Sequence, residues 1–240
     1  MKLTFLGTRG EIESRTQRHR RHTALAVDYR RRRVMIDCGT DWTNHIDRVR
    51  PRAIVITHAH PDHAWGLRAG APCPVYATPT AWETMANYPI EHHQTLADRS
   101  PTAIEGMTFE AFPVEHSTRC PAVGYRIAAG NVTIFYVPDV VYIQSRQDAL
   151  VGCRLYVGDG ATLKRPMVRK RGEHLIGHSP VRTQLTWCEK EGVPEAIFTH
   201  CGAQIVDGDE PAIQNELNRW ATARNVKARI AHDGLEVVLK

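Results

Sequence analysis

Short apolar runs recur through both halves of the chain, each too brief for a helix: Leu3–Leu6, Ala24–Val27, Val34–Ile36, Ala53–Thr57, Val75–Ala77, Thr108–Pro113, Val123–Ile127, Thr133–Val137, Leu155–Val157, Ala196–Thr199 and Val237–Leu239. Such runs, bounded by glycine, proline and polar residues, predict strands. Helical spacing of apolar positions lies between them, at Thr80–Ala86, around Val140–Leu150, at Val181–Glu191 and at Pro211–Ala221. The pattern predicts a mixed α/β fold. Two local signals add detail. Ser179-Pro180 reads as an N-cap serine with proline at the first helical position, which places His178 just before a helix whose first N–H groups could serve a phosphate oxygen. Asp233-Gly234 reads as a hairpin turn, which leaves Asp233 no catalytic role.

At 240 residues with 42% hydrophobic content, one large domain spanning 1–240 is expected rather than two very small ones. The opening Met1–Gly7 reads as a strand, with no secretory apolar core, and no run is long enough to cross a bilayer. A cytoplasmic location is the expectation, with no membrane partner. The six cysteines form no CxxC pair, which argues against disulfides and thiolate ligands, and most are expected as small buried hydrophobes.

The net charge of +5 is unevenly spread. Eight arginines fall between Arg15 and Arg33 against one acid, Asp28, and the stretch 164–171 has no acid at all. Such patches suit phosphate-bearing partners, although Arg30 to Arg33 read equally well as a solvated turn.

The thirteen histidines matter through their clustering. An apolar strand, Ala53–Thr57, runs directly into His58-Ala59-His60-Pro61-Asp62-His63. Imidazole is a common metal ligand, and a carboxylate offsets the charge of a dication that also holds water. His58 and His60 can face one metal while Asp62 and His63 turn to a second. Four ligands do not complete two spheres, and three more candidates follow strand-like runs: His116, Asp139 and His200.

This succession, His58-x-His60-x-Asp62-His63 followed by His116, Asp139 and His200, resembles the metallo-β-lactamase superfamily over nearly the full chain. The resemblance implies an αββα sandwich with metals at one edge. His58, His60 and His116 would hold one metal, Asp62, His63 and His200 a second, and Asp139 would bridge them. Two Zn²⁺ are the first choice, with Mn²⁺ or Fe²⁺ also compatible. Within the superfamily the chain is similar to the phosphodiesterase branch, which includes cyclic ribosyl-phosphate phosphodiesterases and transfer-RNA 3′-processing endonucleases. The similarity rests on Phe5-Leu6-Gly7-Thr8, Gly124–Ile127, Tyr136-x-x-Asp139 and Thr199-His200. Asp159 and His178 match an acid–histidine pair of that branch.

A carboxylate raises the basicity of its imidazole, which can then donate a proton to a leaving oxygen. The implied reaction is attack of hydroxide supplied by the metals on phosphorus. Asp62 would orient or deprotonate the nucleophile, and His178, paired with Asp159, would protonate the leaving group. Only Ala128 to Pro138 stand where the transfer-RNA enzymes insert a long arm, so a small or cyclic phosphodiester, or a nucleic-acid end, is the expected substrate. Arg119, Lys164, Arg165 and Arg169 are the candidate phosphate clamps by charge and position. Two other classes stay open: a carboxylic-ester, thioester or lactone hydrolase on the same site, and a non-catalytic nucleic-acid-binding subunit. A homodimer is compatible with either. Asp37 reads as support for the first motif, and His92-His93 as surface residues.

Overall fold

The computed structural model describes residues 1–240, and its N-terminal alternating segments form a meander. Strand β1 (Lys2–Gly7) buries every second side chain and pairs antiparallel with β2 (Ala24–Tyr29), which pairs antiparallel with β3 (Arg32–Ile36). Arg30 and Arg31 turn between β2 and β3 with φ of 48° and 63°, the paired positive dihedrals that match a two-residue hairpin turn to strand twist. This part of the N-terminal basic stretch is therefore the solvated turn foreseen above.

Three parallel strands extend the sheet: β4 (Ala53–Val55), β5 (Val75–Ala77) and β6 (His93–Thr95). The second sheet begins with β7 (Thr102–Ile104), β8 (Met107–Glu115), β9 (Ala122–Ala129), β10 (Val132–Tyr136) and β11 (Tyr142–Ile143). It continues with β12 (Leu155–Asp159), β15 (Glu195–Thr199) and β16 (Lys227–Ile230). Between β12 and β15 in sequence, β13 (Met167–Arg171) and β14 (His174–His178) form a separate exposed hairpin. The last strand, β17 (Glu236–Val238), returns to β1.

The inner faces of the two sheets interlock through Leu3, Phe5, Val27, Ile36 and Val55 on one side and Phe109, Ile127, Ile134, Val157 and Ile197 on the other. A second apolar layer joins Phe135, Tyr156 and Phe198 to Leu185 and Cys188 of α5 (Val181–Lys190) and Leu217 of α7 (Glu210–Thr222). A third covers the outer face of the first sheet. There Met35 and Ile54 meet Trp42, Ile46 of α1 (Ile46–Val49), Leu67, and Ala81 of α3 (Pro79–Thr84). Helix, sheet, sheet and helix layers thus give the αββα sandwich. Four cysteines are buried, two are partly exposed and none is paired.

Several sequence expectations need correction. Of Val140–Leu150, only α4 (Arg146–Leu150) is helical. Val140 and Val141 instead donate their N–H groups to Asp159 Oδ2 and the Glu115 carbonyl, and Tyr142–Ile143 pair with β8. Helix α5 begins one residue later than expected, with Pro180 extended at the cap position and the Ser179 hydroxyl donating to the Val141 carbonyl. Its first N–H groups, on Val181 and Arg182, are spent on the carbonyls of Thr162 and Leu163, so they do not serve a phosphate. Asp233-Gly234 makes no hairpin, because β16 and β17 lie in different sheets and the turn carries the chain from one to the other.

Candidate metal centre

In each sheet a set of parallel strands runs in the same direction, and chain leaving their C-terminal ends gathers at one edge. That is where open α/β sheets place their sites. Asp37 follows β3, Thr57 and His58 follow β4, Asp139 follows β10, Asp159 ends β12, and His200 follows β15. Asp62 and His63 lie in the first turn of a short helix, α2 (Pro61–Ala64), with Pro61 at its start. The sequence placed them only in a strand–loop transition. Close approach shapes this turn: a Cβ on Gly39 would sit 1.9 Å from the Asp62 carbonyl oxygen, so only glycine fits there.

The seven predicted metal-binding side chains come together. His58, His60 and His116 converge, as do Asp62, His63 and His200, and also His58, His63 and Asp139, the ligand atoms of each group lying within 4.8 Å of one another. His58 Nε2 is 2.9 Å from His60 Nδ1, and His116 Nε2 is 3.3 Å from the same atom. His63 Nε2 lies 2.9 Å from Asp139 Oδ2 and 3.2 Å from Asp62 Oδ2. Both His63 Nε2 and Asp139 Oδ2 are buried without a well-directed hydrogen bond. Convergent nitrogen and carboxylate lone pairs that do not satisfy each other fit divalent ions.

The far sides of the rings explain why these atoms point inward. His63 Nδ1–H donates to Asp37 Oδ2 at 2.9 Å. The Thr57 hydroxyl is 2.8 Å from the same oxygen and donates to Asp37, so at 3.0 Å from His58 Nδ1 it is left to accept that ring's proton. His116 Nδ1–H donates to the Gly177 carbonyl at 3.0 Å. In all three rings the Nε2 lone pair is left for a metal, the tautomer being set by the outer partner. Asp37 and His200 hold left-handed backbones, with φ of 60° and 51°, a cost that side-chain-bearing residues bear most often at functional sites.

Burial and neighbouring histidines keep most of the first group neutral. His58 is pushed well below the usual histidine range by burial and by His63, and His60 is pushed down to about 4 by burial and by His116. In the second group burial opposes charge and loses. Asp62 and Asp139 are held well below the carboxylate range by their histidines, and His63 is raised by Asp62, Asp139 and Asp37.

Asp159 and His178 meet beside this cluster. Fully buried, Asp159 accepts from His178 Nδ1–H at 2.8 Å and from the backbone N–H groups of Val140 and Ala161. The His178 ring stacks on His200 with centroids 5.5 Å apart and meets His116 edge-on at 5.0 Å. Its pKa is raised, the carboxylate of Asp159 overcoming the cost of burial. The exposed β13–β14 hairpin delivers His178, and it was missed in the sequence because its charged positions show no alternation.

Of the four proposed clamps, Arg119 and Arg169 line one cleft of about 490 Å³ with Lys170 and Arg171 and without any acid, next to Ser117. Lys164 is instead engaged by Glu216 at 2.6 Å. Arg165 is exposed, and no contact brings it to the cluster. His92 and His93 are exposed, as expected.

A family model for the β-lactamase superfamily domain matches residues 32–201. The chain belongs to that superfamily. Membership makes it a metal-dependent hydrolase, and the match contains all seven convergent side chains, ending one residue past His200. Among curated relatives, a ribonuclease Z of Crocosphaera subtropica is 25% identical over 258 residues, covering 85% of this chain and 77% of its own. A ribonuclease Z of Bradyrhizobium diazoefficiens is 39% identical over 70 residues, covering 27% of this chain and 22% of its own. Two solved structures share the fold over most of both chains. The metallo-β-lactamase fold protein YhfI of Bacillus subtilis has a TM-score of 0.77 at 15% identity, with 98% of each chain covered. A diphosphatase of the PhnP family has a TM-score of 0.70 at 20% identity, covering 100% of this chain and 98% of its own.

Proposed function

We propose that this protein is a dinuclear phosphodiesterase acting on a small or cyclic phosphodiester or on a nucleic-acid end. The observation that carries the reading is the Asp159–His178 pair, with Asp159 buried, their contact at 2.8 Å and the imidazole against the rings of His116 and His200. A proton donor is needed where the leaving group is an alkoxide. It is dispensable for a thiolate. Supporting this are the acid-free cleft of Arg119, Arg169, Lys170 and Arg171 and relatives named ribonuclease Z.

His58, His60 and His116 would hold one ion, Asp62, His63 and His200 the other, and Asp139 would reach both. Divalent ions bound there, zinc first, supply an acidified water and offset charge on the phosphodiester oxygens. Asp62 orients the nucleophile and takes its proton. His178, whose Nδ1 proton is committed to Asp159, presents Nε2 to the leaving oxygen, and the imidazolium is stabilised by the carboxylate behind it. Arg119 and Arg169 draw the substrate phosphate toward the cluster. Only Gly130 and Asn131 separate β9 from β10, so the chain has no arm there with which to grip a transfer RNA.

The test is metal analysis followed by turnover of a dinucleoside monophosphate, bis-(p-nitrophenyl) phosphate, a lactone and a thioester, by the protein and by His178→Ala. Expected are about two equivalents of metal, phosphodiester hydrolysis, and in the variant a loss of about 10²–10⁴-fold on the dinucleoside monophosphate, whose leaving group is an alkoxide, the range of general acid catalysis. A smaller loss is expected on bis-(p-nitrophenyl) phosphate, whose p-nitrophenolate leaves without a proton. Turnover confined to the lactone or thioester, or an unchanged His178→Ala on the dinucleoside monophosphate, would overturn the reading.

A further inference from the structure

On the other side of the loop that follows His116 lies a second cleft, of about 610 Å³, lined by Ala59, Pro61, Trp65, Arg68, Tyr88 and Cys120, with Thr84 and Asn87 at its rim. Its inner wall is the ligand-bearing backbone itself, since Ala59 and Pro61 flank His60. Trp65 opens the 3₁₀ turn Trp65–Ala69 directly after α2, which carries Asp62 and His63. In a 3₁₀ turn residues three apart eclipse, and this places the Arg68 guanidinium 3.6 Å from the centroid of the Trp65 ring. Tyr88 closes the same group, 5.8 Å from that guanidinium. No carboxylate lines the cleft, and Arg68 is exposed. An ordinary surface arginine answers an acid; this one lies on an indole beside the candidate metal centre.

We propose that this cleft takes the nucleobase of the nucleotide attached to the scissile phosphate. The inference rests on the phosphodiesterase reading above and deepens it by naming the substrate as a nucleotide diester. A guanidinium seated over an indole, with a phenol ring alongside, is a ready stacking platform for a base, because every base offers a π-face and arginine adds a cation–π component. The Thr84 hydroxyl and the Asn87 amide at the rim can hydrogen-bond a base edge. The phosphate side of such a substrate would lie over the metal-binding groups, with the Arg119–Arg169 cleft across the loop that follows His116 for further negative charge.

The test uses three dinucleoside monophosphates, each with a single scissile bond: one carrying both bases, one lacking the 5′-side base and one lacking the 3′-side base. Bis-(p-nitrophenyl) phosphate and a single strand of the same bases run alongside. The expected result is that removing one particular base lowers kcat/KM about 5–100-fold, the range that one stacked base supplies. That preference shrinks to within about twofold in Trp65→Ala and in Arg68→Ala, and Trp65→Phe retains most of it. Arg68 is a surface residue, so its variant reads the cleft even if Trp65→Ala folds poorly. Preference for the base on the dinucleotide or on the strand supports the proposal, and the comparison tells which source supplies it. Equal turnover of all three dinucleotides, or a base preference that survives both alanine variants, overturns it. So does turnover of bis-(p-nitrophenyl) phosphate without turnover of any nucleotide substrate. No turnover of any phosphodiester overturns instead the reading on which it rests.

Discussion

Asp37 shows how much of this centre depends on a side chain that faces away from it. One of its oxygens accepts from His63 Nδ1–H and from the Thr57 hydroxyl, and the other from the Thr57 backbone N–H at 2.8 Å. An asparagine in its place keeps one acceptor and loses the charge that holds both tautomers. Asp37→Asn is therefore expected to weaken metal binding about 10–100-fold while the fold persists, the usual cost of losing such an outer partner. Competition with a chelating dye, with circular dichroism as the folding control, checks it. Unchanged affinity would mean that the tautomers are set elsewhere. The inward-facing groups were legible in the sequence because histidines and aspartates at strand ends have few other uses in such numbers. The Thr57 relay and the Gly177 carbonyl were not, since a threonine after a strand and a glycine before a histidine carry no signal of what they face.

At the level of elements, the interior strands and the edge strand β17 were legible in the sequence, and the other edges and the separate β13–β14 hairpin were not. β4 and β12 are buried along their whole length and are apolar in sequence. Met167–Arg171 is mostly exposed and charged, so it resembles a loop until its partner is known. Asp233-Gly234 misled for the complementary reason: the turn signal is local, whereas the pairing of β17 with β1 is decided by the sheets. The β13–β14 hairpin nevertheless sets the site through Gly177. That residue has φ of +114°, and a Cβ there would meet the Met167 carbonyl oxygen at 1.8 Å. Its N–H donates to the His116 carbonyl at 2.8 Å, and its own carbonyl receives the His116 ring. Gly177→Ala must shift the hairpin and with it both His116 and His178. Turnover of bis-(p-nitrophenyl) phosphate is expected to fall at least about tenfold, since sub-ångström misplacement of catalytic groups is costly. The loss in Tm is expected to stay within a few degrees, because the hairpin lies outside the apolar layers. A large fall in Tm with intact turnover of the folded fraction would refute this division of roles.

The two sheets are tied together by the crossover from β16 to β17 as well as by their shared core. Asp233 accepts from the Thr8 hydroxyl at 2.7 Å and from the N–H groups of Arg20 and Arg21, and His19 Nδ1 lies 2.8 Å from the same hydroxyl. The Thr8 carbonyl in turn accepts from the N–H of Cys201, next to His200. This lock joins the first strand, the long loop 8–22, the crossover and the metal-binding edge, and its histidine gives it a pH dependence. Burial, with help from Arg18, pushes His19 down to about 4. Above about pH 6.5 the folded and unfolded chains both hold it neutral, and it contributes no slope. As pH falls through 6.5 the unfolded chain takes up a proton that the folded chain refuses, so stability is lost progressively until about pH 4, where both are protonated. His19→Gln keeps a hydrogen-bonding side chain and removes this titration. Measured in excess chelator, so that the metal ligands are unloaded in both proteins, its Tm should fall less steeply between pH 6.5 and pH 4 than that of the unaltered chain. At pH 5 the gap should be about 1–2 kcal/mol after allowance for partial exposure, or roughly 2–8 °C. His22, also pushed down to about 4, titrates in both proteins and leaves a residual slope in each. Parallel Tm curves would show that the lock opens without protonating His19.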